Sequence, residues 1–203
     1  MRFSGKSVVV LGGNSGIGLA AARAFQAEGA RVAITGRNEA TLAELAGASG
    51  MLAVRSDMSS VAATRAALAR IAEQLGSIDV LFVNAGVGGF AAVHEVTEEF
   101  WDSVHGVNLR GAFFALQAAL PHLRDGGSIV ITGSIGAVLA LPGNVVYAAA
   151  KAGLRAVARI LAAELLPRRI RVNVVSPGQR FSSAGRALHR SQRCVPPWAG
   201  PYR

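Results

Sequence analysis

The run Tyr147-Ala148-Ala149-Ala150-Lys151 sets a phenol and an ammonium four residues apart in an alanine-rich stretch that reads as helix. Residues at i and i+4 lie one above the other on a helix, so both side chains can face one cleft. A nearby positive charge favours the phenolate over the phenol, which makes the pair a candidate acid/base couple. Alone, the same spacing also describes an ordinary surface pair. What decides between the two is whether the rest of the chain builds a site around it.

A second chemical signal stands near the start. A short apolar, β-branched run over 6–11 is followed by Gly12-Gly13-Asn14-Ser15-Gly16-Ile17-Gly18 and then by helix formers up to Glu28, with Gly29 as a stop. Strand, glycine turn and helix make an anion-binding arrangement. Glycines let the backbone approach a pyrophosphate, and the helix start supplies free N–H groups with a partial positive charge. The spacing Gly-x-x-x-Gly-x-Gly differs from the usual dinucleotide fingerprint. A tight turn with close packing and no ligand is the alternative.

The elements that must position these groups alternate along the chain. Strands are expected over 6–11, 31–35, 51–55, 79–83, 128–132 and 170–175, and helices over 19–28, 38–46, 60–75, 97–120 and 147–166. The strands show no polar alternation, as expected when helices cover both faces of a parallel sheet. The chain therefore reads as a doubly wound α/β fold, whose ligands sit beyond the carboxyl ends of the strands near the switch point. The glycine turn, Gly36-Arg37, Asp57, Asn84-Ala85-Gly86 and Ser134 all follow strands, so they should gather at one edge.

Composition narrows the class. With 203 residues, 51% of them hydrophobic and 16% charged, the chain can bury one sizeable core. The net charge of +9 is concentrated late: Arg180, Arg186, Arg190, Arg193 and Arg203 stand in 179–203 with no acid, and setting them aside leaves 16 basic against 12 acidic residues. One cysteine, Cys194, cannot form an internal disulfide and implies no oxidising compartment, so a cytoplasmic location is expected. The apolar run over 8–11 is too short for a signal-peptide core, and no stretch approaches the ~20 apolar residues of a membrane span. His94, His105, His122 and His189 show no metal-ligand spacing. Ser134 follows Thr132-Gly133, which does not fit a hydrolase nucleophile turn. Aromatic residues at 6% and the absence of a recognised module argue against nucleic acid as partner.

Taken in order, Gly12 to Gly18, Asp57, Asn84-Ala85-Gly86, Asn108, Ser134, and Tyr147 with Lys151, closed by Pro177-Gly178, resemble the short-chain dehydrogenase/reductase family in its small single-domain form. The likeness covers about 6–178. It implies a Rossmann-type sheet and an NAD(P)-dependent oxidoreductase acting on a carbonyl or alcohol. Tyr147 would then exchange a proton with the substrate oxygen, Lys151 would support it and bind the nicotinamide ribose, Ser134 would hold the substrate oxygen, and Asn108 would anchor a water. Ser134 as a turn cap, and Asn108 as a solvated or helix-bending residue, are the simpler alternatives.

The resemblance also implies cofactor contacts from Gly12, Asn14, Ser15, Gly16, Ile17 and Gly18, from Asp57 and Met58, from Asn84, Ala85 and Gly86, and from Tyr147, Lys151, Pro177 and Gly178. Asp57 could equally be a cap before Ser59. A ribose with free hydroxyls is typically held by an acid at the end of the second strand, whereas a 2′-phosphate wants an arginine. Gly36 stands where NAD-using relatives carry Asp, and Arg37-Asn38 follows, so NADP(H) is favoured over NAD(H). Glu39 lies close by, and Arg37 could be a solvated helix-start residue. Gly88, Gly89, Phe90, Val138 and Leu139 are candidate apolar walls for a small carbonyl or alcohol substrate.

Two domains of behaviour are expected: 1–178 as the dinucleotide-binding, catalytic part, and 179–203 as a basic, poorly ordered tail. Ser182 stands where relatives place a nicotinamide-contacting threonine, but Gln179 and Arg180 break the pattern beside it, and the family's final strand region is expected to be lacking. The second possible function is accordingly a truncated, catalytically weak dinucleotide-binding or interaction protein. An uncovered sheet edge templates association. Such an edge predicts ready aggregation, while the resemblance implies a dimer through helices near 111–120 and 147–166, no full tetramer, and protease cleavage after about Gly178. A protease-resistant C-terminus on a tetramer, seen by limited proteolysis and light scattering, would contradict this.

Overall fold

The computed structural model describes residues 1–178 of the 203. Gln179, Arg180, Ser182, Arg186, Arg190, Arg193, Cys194 and Arg203 lie outside the described residues. Six strands form one sheet: β1 (Ser7–Leu11), β2 (Arg31–Gly36), β3 (Leu52–Arg55), β4 (Ile78–Val83), β5 (Leu123–Thr132) and β6 (Arg171–Val175). Every pairing is parallel and the order is β3-β2-β1-β4-β5-β6. The chain thus winds outward from β1 in one direction and then from β4 in the other. The switch point lies between those two strands.

Strand composition dictates the layers. In β1 every residue is buried, and because side chains alternate between faces, Val8 and Val10 enter one cluster while Val9 and Leu11 enter another. The first cluster holds Ala22 of α1 (Gly16–Ala27) and Leu42 and Leu45 of α2 (Glu39–Ser49) against Val32 and Ile34. The second, larger one packs Leu68 and Ile71 of α3 (Val61–Leu75), Leu116 of α5 (Ala112–Ala119) and Leu154 of α6 (Val145–Glu164) against Leu81, Ile129 and Ile131. At the opposite edge from the site, buried Asp79 accepts hydrogen bonds from the Ser7 N–H at 2.9 Å and from Lys6 at 3.0 Å, tying the starts of β1 and β4 together.

Two expectations about elements are corrected. The single helix expected over 97–120 is broken into α4 (Glu98–His105), a π-helical segment (Gly106–Gly111) and α5. Thr97 caps the first piece by accepting from the Phe100 N–H at 3.2 Å. The widened turn carries Asn108, and apolar periodicity alone does not register the one extra residue of a π-turn. In β5, pairing begins at Leu123 rather than Ser128, with a register irregularity between Ile78 and Val80 and Gly126 at φ 79°. The polar stretch around that glycine hides the early strand residues from a search for β-branched runs.

Candidate active site

The carboxyl ends of the strands open into one cleft of about 830 Å³. Along its first half, the turn after β1 leads into α1, with Gly12 at φ 76° and Gly16 at φ 53°. A Cβ at Gly16 would meet nothing within 4 Å, so the glycine is there for its left-handed backbone, which other residues adopt only at a cost. Ser15, at the N-cap of α1, makes no side-chain cap, and the first turn carries no acid. The N–H groups of a helix start left uncapped in this way are free to hold an anion. Asn14, Ser15, Gly16 and Ile17 line the cleft as expected, whereas Gly18 does not. A Cβ at Gly18 would stand 2.6 Å from Asn84 Nδ2 and closer still to the Gly12 carbonyl oxygen, so its role is close packing of helix on turn.

Further along this half, Arg37, Asn38, Asp57 and Met58 all line the wall. Asn38 Oδ1 is spent on capping α2, accepting from the Thr41 N–H at 3.0 Å. Asp57 Oδ1 accepts from the Ser59 N–H at 2.9 Å and from its hydroxyl at 2.8 Å, the turn-capping alternative in the sequence. The Ser59 N–H, with its hydroxyl and the nearby Arg37 and Arg55 guanidiniums adding, holds the Asp57 carboxyl below the usual range against the effect of partial burial. A Cβ at Gly36 would lie 2.4 Å from Asn14 Cγ. An acid there would have to displace Asn14. Arg55, one strand over and in register with Gly36, is a cation the sequence reading missed; the residue at the end of β3 carries no motif.

The second half holds the candidate acid/base pair of the sequence. Tyr147 and Lys151 sit on α6 and line the cleft with Ser134. Lys151 is 2% exposed; its Nζ donates to the Thr132 carbonyl oxygen at 2.7 Å and lies 5.8 Å from the centre of the Tyr147 ring. Burial pushes its ammonium down to about 8. Ser134 caps a 3₁₀ turn over Ile135–Ala137, its Oγ accepting from the Gly136 N–H at 3.0 Å. That leaves its proton available to donate, so the observed cap does not exclude a chemical role.

Asn108 is fully buried and does not line the cleft. Its Nδ2 donates to the Val87 carbonyl oxygen at 2.6 Å and its Oδ1 accepts from the Val87 N–H at 3.1 Å. The solvated alternative is therefore excluded, and the side chain pins the loop after β4. Thr132, also missed, links three strand ends: its hydroxyl donates to Asn84 Oδ1 at 3.0 Å, and Asn84 Nδ2 donates to the Gly12 carbonyl oxygen at 3.0 Å. Ala85, Gly86, Pro177 and Gly178 line the cleft, as do Gly88, Gly89 and Phe90. Val138 and Leu139 do not; they stand 66% and 48% exposed, and Ile135, Leu141 and Asn144 form the wall in their place.

The family model described as enoyl-(acyl carrier protein) reductase matches residues 12–197. An uncharacterized oxidoreductase of Methylorubrum extorquens is 40% identical over 183 residues, spanning 87% of this chain and 74% of that protein. The chain belongs to the short-chain dehydrogenase/reductase family. Another relative in that family is the D-threitol dehydrogenase of Mycolicibacterium smegmatis, 36% identical over 207 residues, 98% of this chain and 76% of its own. The solved short-chain dehydrogenase of Burkholderia cenocepacia, in complex with NADP, superposes with a TM-score of 0.84 at 36% identity, covering 96% of this chain and 85% of that one. As a short-chain dehydrogenase/reductase, this protein is an oxidoreductase of the alcohol/carbonyl class. Its glycine turn and strand ends fit a dinucleotide: open N–H groups for the pyrophosphate in one half, and a buried ammonium in the other. Among the described residues no helix is long and apolar enough to cross a membrane.

The buried ammonium yields a linkage prediction. Below about pH 8 Lys151 is charged in both the folded and the unfolded chain, and the cost of burying that charge is fully present. Between about 8 and the ordinary 10.5 the folded protein has released a proton that the unfolded chain keeps. Stability contributed at this site therefore rises with pH across that window. Chemical denaturation of wild type and Lys151→Met at pH 7.5, 9 and 10 should show wild type gaining relative to the variant as pH rises. Parallel profiles would mean that Lys151 is not buried as a charge.

Proposed function

We propose that the protein is an NADP(H)-dependent oxidoreductase that interconverts a small carbonyl compound and its alcohol, with Tyr147 as the proton donor and acceptor. The observation that carries this reading is the buried Lys151 ammonium, one helical turn from Tyr147 and lining the same cleft as the Ser134 hydroxyl. A nicotinamide cofactor, when bound, supplies or accepts the hydride. The chain's own groups handle the oxygen. In reduction, the Ser134 O–H and the Tyr147 O–H donate to the carbonyl oxygen, and the Tyr147 proton passes to it as the alcohol forms. The Lys151 ammonium stands 5.8 Å from the centre of the Tyr147 ring on the same side of the cleft. Asn108 supports the site by fixing the loop at Val87.

The cofactor preference rests on Gly36 and Arg37. With Asn14 packed where an acid at 36 would project, and with Arg37 and Arg55 beside Asp57, that end of the cleft suits a 2′-phosphate better than a bare ribose. The NADP held by the Burkholderia cenocepacia relative supports the same choice. A homodimer through α5 and α6 belongs to this reading, supported by the exposed Phe113 and Ile160 on those helices.

Tyr147→Phe removes the transferable proton and little packing. It should reduce turnover of any accepted carbonyl to a few per cent of wild type or less, with NADPH affinity nearly unchanged; steady-state rates beside calorimetric titration measure both. Retained turnover would place the acid/base group elsewhere.

A charge-assisted contact from Arg37 to a 2′-phosphate is worth roughly 1.5 to 3 kcal/mol. NADPH should accordingly bind at least ~10-fold tighter than NADH, and Arg37→Ala should remove most of that difference. Equal affinities in the wild type would overturn the assignment.

A further inference from the structure

Asn144 is the N-cap residue of α6, where an asparagine ordinarily turns its side chain back to accept a hydrogen bond from the helix. Asn38 does so on α2. Asn144 does not; its side chain makes no cap. It is 4% exposed, lines the cleft, and sets Nδ2 at 3.5 Å from the Gly136 carbonyl oxygen. A carbonyl oxygen can only accept, so the amide nitrogen is the atom that faces it. Oδ1 has no hydrogen-bond partner among the described residues, yet no fully enclosed side-chain oxygen is unpartnered. The free acceptor therefore keeps some exposure, on a residue of the cleft wall.

Its place relative to the chemistry is set by Gly136. A Cβ built there would stand 2.8 Å from Asn144 Nδ2 and 3.3 Å from Ser134 Oγ, so the amide and the hydroxyl both pack against Gly136. Asn144 also lies three residues before Tyr147, on the same side of the helix start. The neighbouring wall is formed by Phe90, Ile135 and Leu141, and no acid or guanidinium of the described residues lines this end. The cleft wall thus carries a neutral acceptor on the residue that flanks Gly136 opposite Ser134.

We propose that Asn144 is a specificity-determining residue whose Oδ1 accepts a hydrogen bond from a hydroxyl on the carbon next to the reacting one, so that the site takes uncharged α-hydroxy ketones and vicinal diols. The inference rests on the assignment of Ser134 and Tyr147 to the substrate oxygen. A ketone with a methyl in place of that hydroxyl would dehydrate Oδ1 and leave it unpaired, and a site built to bond a hydroxyl rejects such an analogue strongly.

The test uses two matched pairs of probes, 1-hydroxy-2-propanone against 2-butanone and 2-hydroxyacetophenone against propiophenone, reduced with NADPH by the full chain. The hydroxyl also activates the carbonyl, so the quantity read is the change in the ratio of kcat/KM between variants, which is insensitive to the amount of folded enzyme. Asn144→Leu should lower the hydroxy-over-methyl ratio at least ~10-fold, whereas Asn144→Asp, which keeps an oxygen acceptor, should retain most of it. An unchanged ratio in Asn144→Leu, or an equal loss in both variants, overturns the proposal while leaving the role of Tyr147 standing. If wild type turns over none of the four probes, the reading on which the proposal rests falls, and the proposal falls with it.

Discussion

The structure depends on one unfavourable act: placing the Lys151 ammonium almost entirely out of water. An isolated charge in that position would be intolerable, and among the described residues the direct compensation is the Thr132 carbonyl oxygen at 2.7 Å. That carbonyl is the last of β5, so the charge can be held only if the end of β5 and the second turn of α6 meet in fixed register. Val146, Ala150 and Leu154, all buried on the same helix, supply the packing that enforces it. Desolvation at this point also pushes the Lys151 ammonium down to about 8, and shifted groups of this kind cluster at functional sites.

The same demand for register spreads across the sheet. Thr132 gives its carbonyl to Lys151 and its hydroxyl to Asn84, and Asn84 in turn holds the Gly12 carbonyl. The half of the cleft that carries Tyr147 and Lys151 and the half that carries the glycine turn are therefore joined by two side chains crossing from β5 through β4 to β1. Gly18 makes this possible. A side chain there would strike both Asn84 and the Gly12 carbonyl, so the helix sits this close to the turn only because that position is bare.

Much of this was legible in the sequence because it follows from periodicity and spacing. Unbroken apolar runs specify strands buried on both faces, and the four-residue step from Tyr147 to Lys151 fixes one helical face. The glycine cluster specifies a turn that only glycine can make. What escaped has a common physical character. Thr132 and Arg55 are strand-end residues whose importance comes from neighbours on other strands, and Asn144 matters for a cap it does not make. The exposed Val138 and Leu139 were read as wall because they are apolar and follow Ser134, yet the 3₁₀ turn that Ser134 caps carries the chain outward before they are reached. Local composition cannot report which way a turn points.

Asn108 shows how far a single residue can serve both purposes. A mid-helix asparagine would ordinarily weaken a helix, and here it sits in a π-turn that widens the backbone by one residue. Both halves of its amide are spent on Val87, the donor at 2.6 Å and the acceptor at 3.1 Å. Val87 lies between Asn84-Ala85-Gly86 and Gly88-Gly89-Phe90, all of which line the cleft. A glycine-rich loop so placed would be free to wander, because it has few side chains with which to pack. Fixing its midpoint from within a buried helix defines both sides at once, and the Gly86 position, whose Cβ would stand 2.7 Å from Asn108 Oδ1, shows how closely loop and helix must approach for that bond to form.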